Sequence, residues 1–348
     1  MLSEELSGVE DAATGLAPGP AHADAQLRSK RRAWLAFAAK LGAGAGLVAF
    51  LLWHYDLRAS LQLIGRERPA WFVATVALYV AGQIMSAFRW QLLAKLNGLR
   101  GRFSDYLAYY FIGMFTNLFV PGLVGGDALR ALYLGRREQR LGPAFGSVVA
   151  DRGIGLLTLF WLAAAAALCT TQVQLPGSVL RLTLAAGGVS VLAFIAAPLL
   201  ARSVAHTQRL NRLLAPISPY LCRPLALTPA IVLSALLQLS LAVCQYLLAI
   251  GLRLDIAIAT FVLIVPISNV IASLPITING LGMREATYLL LLGMAGLSKD
   301  QAVALSLLYF AATLVGGFTG VIAFIVTPVP RQEAESLTAS PSLSATTG

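Results

Sequence analysis

The stretch PGLVGGDALR, Pro121 to Arg130, decides the fold, because it interrupts a run that is apolar enough to cross a membrane. It follows the residues YLAYYFIGMFTNLFV and introduces a proline, three glycines, a carboxylate and a guanidinium. Proline and glycine at membrane depth release backbone polar groups, which is tolerated only where that backbone is covered by protein or lines a wet cavity. The stretch therefore predicts a broken helix inside a membrane protein.

Composition leads to the same class of protein. The chain has 348 residues, of which 57% are hydrophobic and only 12% charged, and its mean hydropathy is +0.75. Such a chain is too apolar for a soluble domain, so we expect an all-α, polytopic helical membrane protein. The net charge of +10 comes from short basic clusters between apolar runs. That pattern orients segments in a bilayer and does not indicate a nucleic-acid partner.

The apolar runs predict about eight transmembrane helices within a membrane domain of residues 33–327. Residues 1–32, which end in a basic juxtamembrane cluster, and residues 328–348 are polar tails that we expect to be disordered. The runs are 33–53, 70–88, 104–124, 153–170, 179–200, 227–250, 255–278, 284–297 and 301–327, of which the third and eighth are the least certain to cross fully.

Basic residues flank the interrupted run 104–124 on both sides. Arg102 precedes it, and Arg136, Arg137 and Arg140 follow it. Basic loops remain cytoplasmic, so a single crossing would place one cluster on the wrong side of the membrane. A re-entrant hairpin with PGLVGGD at its tip avoids this conflict. The same rule places both termini in the cytoplasm.

A second stretch, SLPITINGLGMREA, repeats the spacing of the first. The matching residues are Pro121, Gly126 and Arg130 in the first copy and Pro275, Gly280 and Arg284 in the second. Each copy follows an apolar run with an asparagine near its end, Asn117 or Asn269. Transporters often build a substrate site from repeated broken helices whose N-termini face an anionic group. We therefore predict that the two breaks meet in one cavity, in either parallel or inverted orientation.

The candidate residues for binding a substrate lie in these two breaks and in the segment DRGIGLLTLF. They are Asn117, Pro121, Gly125, Gly126, Asp127, Arg130, Asp151, Arg152, Pro275, Gly280, Gly282, Arg284 and Glu285.

Simpler structural roles compete with some of these assignments. Asp127 has the position of a helix N-cap, and Arg130 can pair with it or reach the membrane interface. Arg89 with Trp90 reads as an interfacial anchor, and Lys40 as a snorkelling side chain. The three cysteines and three histidines show no ligand spacing, so neither a metal nor a cofactor is expected.

These residues also carry a resemblance. The order FRWQLL, YYFIGMFTNLFVPGLVGGDALRALYLGRR, SVVADRGIGL and ASLPITINGLGMREA resembles the flippase-like membrane domain shared by the lysylphosphatidylglycerol synthase transmembrane region and archaeal dolichol-linked glycosylation proteins. The similarity extends over about residues 33–327, and PG-x-x-GGD-x-x-R and G-x-G-x-RE are its most specific parts. Asp151–Arg152 stands where the family usually has Glu before Arg.

The resemblance implies an inner-membrane protein that handles lipids with bulky polar heads. Synthases of that family append a large soluble catalytic domain, whereas this chain ends in a short polar tail, so synthesis of an aminoacylated lipid is not expected. No nucleophile–base pair or phosphate-binding Gly-rich turn marks a catalytic residue.

Three functions remain open from the sequence. The first is a translocase of an anionic phospholipid or a polyprenyl-phosphate-linked lipid or saccharide, in which Arg130, Arg284 and Arg152 neutralise phosphate and Asp127, Asp151 and Glu285 tune them. The second is a membrane transferase acting on such lipids, which would need a metal-binding pair of acids that the loops do not show. The third is a non-catalytic membrane partner that anchors an envelope-biosynthesis enzyme.

Overall fold

The computed structural model describes residues 57–65, 67–119, 124–170, 173, 175–204, 214–273 and 283–327. The described residues contain helices and no strand. The helices are α1 (Leu57–Ile64), α2 (Pro69–Leu96), α3 (Phe103–Phe119), α4 (Val124–Arg137), α5 (Leu141–Cys169), α6 (Gly177–Val204), α7 (Ser218–Cys222), α8 (Thr228–Gly251), α9 (Ile258–Ser273), α10 (Met283–Met294), α11 (Lys299–Phe318) and α12 (Gly320–Val326). The expected first span, residues 33–53, and both polar tails lie outside the described residues.

The expected class, an all-α polytopic membrane protein, is confirmed. Five helical segments of the described residues are long and apolar enough to cross a membrane: 69–96, 141–169, 177–203, 224–251 and 299–326. The peripheral helix α6 shows what such a surface looks like, because Leu182, Leu192 and Ile195 are all exposed on it. Apolar side chains that point outward in this way suit contact with lipid.

The long and short helices follow the same order twice. In the first unit, residues 69–169, the long helix α2 is followed by the short helices α3 and α4 and then by the long helix α5. In the second unit, residues 228–318, α8 is followed by the short helices α9 and α10 and then by α11. The predicted internal repeat is therefore present in the order of the helices.

The two units run in opposite directions. Helix α2 packs antiparallel to α8. Glu67, just before α2, touches Gly251 at the end of α8. Arg89, near the end of α2, donates a hydrogen bond to Ser234 near the start of α8. Halfway along, the Thr75 hydroxyl donates to the carbonyl of Cys244 at 3.2 Å. The repeat is thus inverted, which the sequence left open.

The first pair of short helices forms the predicted hairpin. Asp105 in the first turn of α3 pairs with Arg137 at the end of α4 at 2.5 Å, so the open ends of the hairpin lie together. Near its tip, a Cβ on Gly126 would lie 2.0 Å from the carbonyl oxygen of Gly113, an approach that only glycine permits. We call the side of the bundle with Arg137 the basic end.

The second hairpin, α9 and α10, starts and ends on the other side. Six residues separate the end of α8 at Gly251 from the start of α9 at Ile258. Gly251 touches Glu67. Helix α10 is followed by α11, whose Asp300 accepts a hydrogen bond from Ser60, a few residues before Glu67. We call this side the opposite end. The two hairpins therefore enter the bundle from opposite ends.

Candidate functional site

Five charged side chains form one continuous chain of ion pairs in the first unit. Asp151 accepts from Arg89 Nε at 2.8 Å and from Arg130 Nη2 at 3.0 Å. Asp127 accepts from Arg130 Nε at 3.0 Å and from Arg152 Nε and Nη2 at 2.5 and 2.9 Å. Three guanidinium groups thus face two carboxylates, and the cluster carries one excess positive charge.

The centre of this cluster is buried. The side chains of Arg89, Arg130 and Asp151 are exposed by only 7%, 3% and 2%, whereas that of Arg152 is half-exposed. Buried charges require partners, because desolvation alone disfavours each of them by several kcal/mol. Helix α2 supplies Arg89, α4 supplies Asp127 and Arg130, and α5 supplies Asp151 and Arg152. The charges therefore tie the hairpin to the long helices on either side of it.

Arg130 has one donor group left over. Its Nε and Nη2 are bonded to the two carboxylates, while its Nη1 is buried and lacks a hydrogen-bond partner in the described part of the chain. The guanidinium lies over the rings of Trp90 and Tyr110, at 4.8 and 4.9 Å from their centroids. Trp90 is itself fixed by donating to the Ser147 hydroxyl at 3.0 Å. Arg130 is therefore held rigidly, with unused hydrogen-bonding capacity.

A cavity of about 470 Å³ adjoins the cluster. Asp127, Arg130 and Arg152 line it from the first hairpin and α5. Its volume lies within the range of small-molecule sites, about 300–1,000 Å³. The cavity has room for the polar head of a lipid next to the guanidinium groups.

Carboxamides line another part of the same cavity. Gln83 and Gln238 both contribute to its wall, and each lies thirteen residues before the end of its long helix, α2 or α8. Asn117 and Asn269, which lie near the ends of α3 and α9, form a second corresponding pair in the wall. The cavity thus receives matching side chains from both units of the inverted repeat.

Comparison with known proteins assigns the family. A family model described as the lysylphosphatidylglycerol synthase transmembrane region matches residues 37–320. The chain belongs to this family. It is also similar to a UPF0104 membrane protein of Methanocaldococcus jannaschii, with 26% identity over 101 residues, which cover 28% of this chain and 30% of that protein. No solved structure matches the chain significantly.

In this member of the lysylphosphatidylglycerol synthase transmembrane region family, the structure brings seven of the sequence-predicted residues together. Asp127, Arg130, Asp151 and Arg152 form the charged cluster. Asn117 accepts a hydrogen bond from the backbone N–H of Gly126 at 2.8 Å, which closes the hairpin near its tip. Gly125, in the first turn of α4, is adjacent.

The other predicted residues are not tested. Pro121, Pro275, Gly280 and Gly282 lie outside the described residues. Arg284 and Glu285 fall in the first turn of α10, but the structure does not describe their side chains. That Arg284 shares the cavity with Arg130 remains a prediction, although Asn269 does bring the second hairpin into the cavity wall.

Arg89 and Trp90 were misassigned as interfacial anchors. Both are buried, because α2 continues to Leu96 and places them within the helix bundle. Arg89 donates to Asp151 and also, through Nη1, to the Ser234 hydroxyl at 2.9 Å, so it connects the cluster to the second unit. The sequence signal was the stretch QLLAKL, which extends the helical pattern beyond Arg89.

Two helix starts also differ from the sequence prediction. Helix α4 begins at Val124, three residues before Asp127, and the Asp127 carboxylate binds Arg130 and Arg152. It therefore acts as an ion-pair partner and not as the predicted N-cap. Helix α5 begins at Leu141, so Asp151 and Arg152 lie in its interior instead of opening it. Pro143 falls in the first turn of α5, where its missing N–H breaks no intrahelical hydrogen bond.

Proposed function

We propose that this protein binds the phosphate of an anionic lipid at Arg130 and carries its head group across the cytoplasmic membrane. The observation that carries the proposal is the buried Nη1 of Arg130, which lacks a partner among the described residues and belongs to a cluster with excess positive charge beside a cavity. A guanidinium in the bilayer centre disfavours its site by at least ~2.5 kcal/mol. Binding of an anion offsets that cost.

Phosphate fits the donors that the cluster offers. Arg130 can give a charge-assisted hydrogen bond through Nη1, and the half-exposed Arg152 supplies a second guanidinium at the cavity wall. Asp127 and Asp151 already take the other donors and reduce the positive potential. The bound lipid is therefore held weakly enough to leave, as transport requires.

Movement across the membrane is supported by the inverted repeat. Hairpins that enter from opposite ends and contribute Asn117 and Asn269 to one cavity are the arrangement by which many transporters open a central site to each side in turn. On this proposal the protein is a transporter and not an enzyme. Its partner is a phospholipid or a polyprenyl-phosphate-linked lipid, and its basic end and both termini face the cytoplasm.

Reconstitution into liposomes tests the proposal. Purified protein should accelerate the exposure of a fluorescent phospholipid or polyprenyl-phosphate analogue to an external quencher. Arg130→Ala should reduce the rate at least tenfold, and Arg130→Lys should also be poor, because an ammonium cannot span the same partners. Arg181→Ala, which removes an exposed guanidinium outside the cavity wall, is the matched control and should retain the wild-type rate.

The alternatives give different outcomes. Rates equal to those of protein-free liposomes across a panel of anionic lipids would reject transport and favour the role of a membrane partner for an envelope enzyme. A lipid recovered with a changed chemical structure would favour the transferase. Arg130→Ala keeps the Arg89–Asp151 and Arg152–Asp127 pairs, so it should insert and fold, which size-exclusion chromatography checks.

A further inference from the structure

We infer that the lipid bound here carries an uncharged, hydroxyl-bearing group beyond its phosphate, and that head groups with an ammonium are rejected. The inference rests on the proposed function and adds the class of head group. Its basis is the division of the cavity wall into a guanidinium part, with Arg130 and Arg152, and a carboxamide part, with Gln83, Gln238 and Asn269.

The two parts lie at different depths. Ser234 accepts a hydrogen bond from Arg89, and Gln238 lies four residues later in α8. Because a helix rises by about 1.5 Å per residue, Gln238 lies about 6 Å along α8 from the Arg89–Ser234 bond. Gln83 is six residues before Arg89, or about 9 Å along α2. Because α2 and α8 are antiparallel, both displacements lead away from the basic end. The two glutamines therefore lie one to two helical turns deeper, that is, farther from the basic end, than the Arg89–Ser234 bond, and Arg89 is joined to Arg130 through Asp151.

The chemistry of the deeper part suits hydroxyl groups. A carboxamide both donates and accepts hydrogen bonds, as a hydroxyl does, and it carries no charge to select for an ion. The Nδ2 of Asn269 is 3.5 Å from Oε1 of Gln238, the outer limit of a hydrogen bond, so the pair can exchange this contact for one to a ligand. Tyr79 and Tyr309 in the same wall add flat aromatic faces that cover the C–H side of a polyol.

Among its described residues, the wall offers no free carboxylate to pair with an ammonium. Asp127 is the carboxylate in that wall, and Arg130 and Arg152 occupy its oxygens. Asp151 is buried and bonded to Arg89 and Arg130. An aminoacylated head group would bring its ammonium next to excess positive charge, which disfavours binding.

Binding to four short-chain lipids separates the parts of the inference. Phosphatidic acid presents a phosphate alone, and phosphatidylinositol adds a neutral polyol. Phosphatidylglycerol and its lysyl ester differ by an ammonium-bearing group. We expect the detergent-purified wild-type chain to bind phosphatidylinositol about tenfold more tightly than phosphatidic acid, since a site built for hydroxyl groups discriminates against ligands that lack them. Lysyl-phosphatidylglycerol should bind about tenfold more weakly than phosphatidylglycerol.

Substitutions in the deeper part complete the test. Gln238→Leu and Gln83→Leu should abolish the preference for phosphatidylinositol and leave the affinity for phosphatidic acid unchanged, which a merely structural role would not do. Gln62→Leu, in the exposed face of α1 and outside the cavity wall, is the matched control and should keep the preference.

Each contrary result has one meaning. Equal affinity for phosphatidic acid and phosphatidylinositol, tighter binding of the lysyl ester, or an equal loss for all lipids in Gln238→Leu would overturn the inference while the phosphate site stands. Binding of phosphatidic acid that survives Arg130→Ala would overturn the proposed function, and the inference with it.

Discussion

The two units of the inverted repeat share a helix order but not a chemistry. Seven residues before the end of the long helix, the first unit has Arg89 and the second has Cys244. Both side chains are buried. Arg89 joins an ion-pair network, whereas the Cys244 thiol packs in a hydrophobic cluster and donates to the Thr75 backbone carbonyl at 3.7 Å. Among the described side chains, ion pairs are thus concentrated in the first copy of a scaffold that is used twice.

The last long helices show the same contrast. Asp151 lies ten residues after the start of α5, and Tyr309 lies ten residues after the start of α11. The first is a carboxylate between two guanidinium groups, and the second is a phenol in the cavity wall. On the proposed function, the first unit would hold the anion, and the described side chains that the second unit adds to the cavity wall are uncharged.

The prediction of membrane topology has the largest expected effect, because a cysteine either is or is not accessible to a reagent outside the cell. In a background without the exposed Cys169 and Cys222, cysteines placed at Arg100 or Arg137 should resist a membrane-impermeant reagent in intact cells. A cysteine at Asp255, near the opposite end, should react readily. We expect the loops of the basic end to lie inside, because they are rich in arginine. Residues 252–257 are at the opposite end of the bundle and are then expected outside.

Labelling of all three positions from the same side would contradict the inverted arrangement. Ready modification at Arg100 or Arg137 alone would instead contradict the cytoplasmic orientation of the basic end.

The second prediction concerns Asp151→Asn. The carboxamide of this variant can accept from Arg89 or Arg130 with its one oxygen, and its NH2 group faces the other guanidinium. One buried charge therefore loses its partner, which should lower the free energy of unfolding by about 3–5 kcal/mol. The corresponding change in the second unit, Tyr309→Phe, removes one hydroxyl and should cost about 1 kcal/mol. Thermal unfolding of the purified variants measures both. Equal losses would show that the charges do not distinguish the units.

Arg89→Lys should have an intermediate effect. Nε and Nη1 of Arg89 reach Asp151 and Ser234 at 2.8 and 2.9 Å, and a single ammonium cannot hold both positions. We expect a loss of about 1–3 kcal/mol of unfolding free energy, because a buried acceptor is left unsatisfied. Arg68→Lys, an exposed arginine just before the same helix, is the control and should be neutral. A neutral Arg89→Lys would restore the interfacial reading.

Glu67 at the opposite end gives the smallest expected effect. Burial raises the pKa of its carboxyl above 4.5, against a weaker lowering by the Phe72 backbone N–H. When the pKa of a carboxyl is higher in the folded state than in the unfolded state, the folded protein loses stability as the pH rises through these two pKa values. Glu67→Gln should therefore raise the Tm slightly at pH 7, and the gain should disappear near pH 4.

The matched change at the basic end is Glu138→Gln. Glu138 is a half-buried residue whose carboxylate accepts from the backbone N–H of Arg100 at 3.1 Å, so this substitution should not raise the Tm at pH 7. A similar gain in both variants would point to a general effect of removing negative charge from a membrane protein.

The sequence predicted the hairpin because proline, glycines and basic flanks in 104–124 exclude a plain crossing. It also predicted four of the five clustered charges, since Asp127, Arg130, Asp151 and Arg152 are conspicuous in apolar surroundings. Arg89 was missed because an arginine beside a tryptophan is equally typical of an interface. Gln83 and Gln238 were missed because an uncharged amide is not conspicuous in an apolar helix. Their correspondence is visible only when both are counted from the ends of their helices, which the sequence does not give. Spacing alone carries no direction, so the inversion of the repeat required the structure.

The order in which the charged residues are synthesised limits how the hairpin can enter the membrane. Arg89 leaves the ribosome first, Arg130 follows, and Asp151 appears 62 residues after the Arg89 that it binds. Until α5 is made, Asp127 is the one carboxylate of the cluster that is present for Arg89 and Arg130. The remaining positive charge is costly to place in a bilayer. We therefore expect the hairpin to remain at the membrane surface until α5 is made and to enter together with it. Insertion of this part of the chain would then be a folding step and not a separate crossing of each helix.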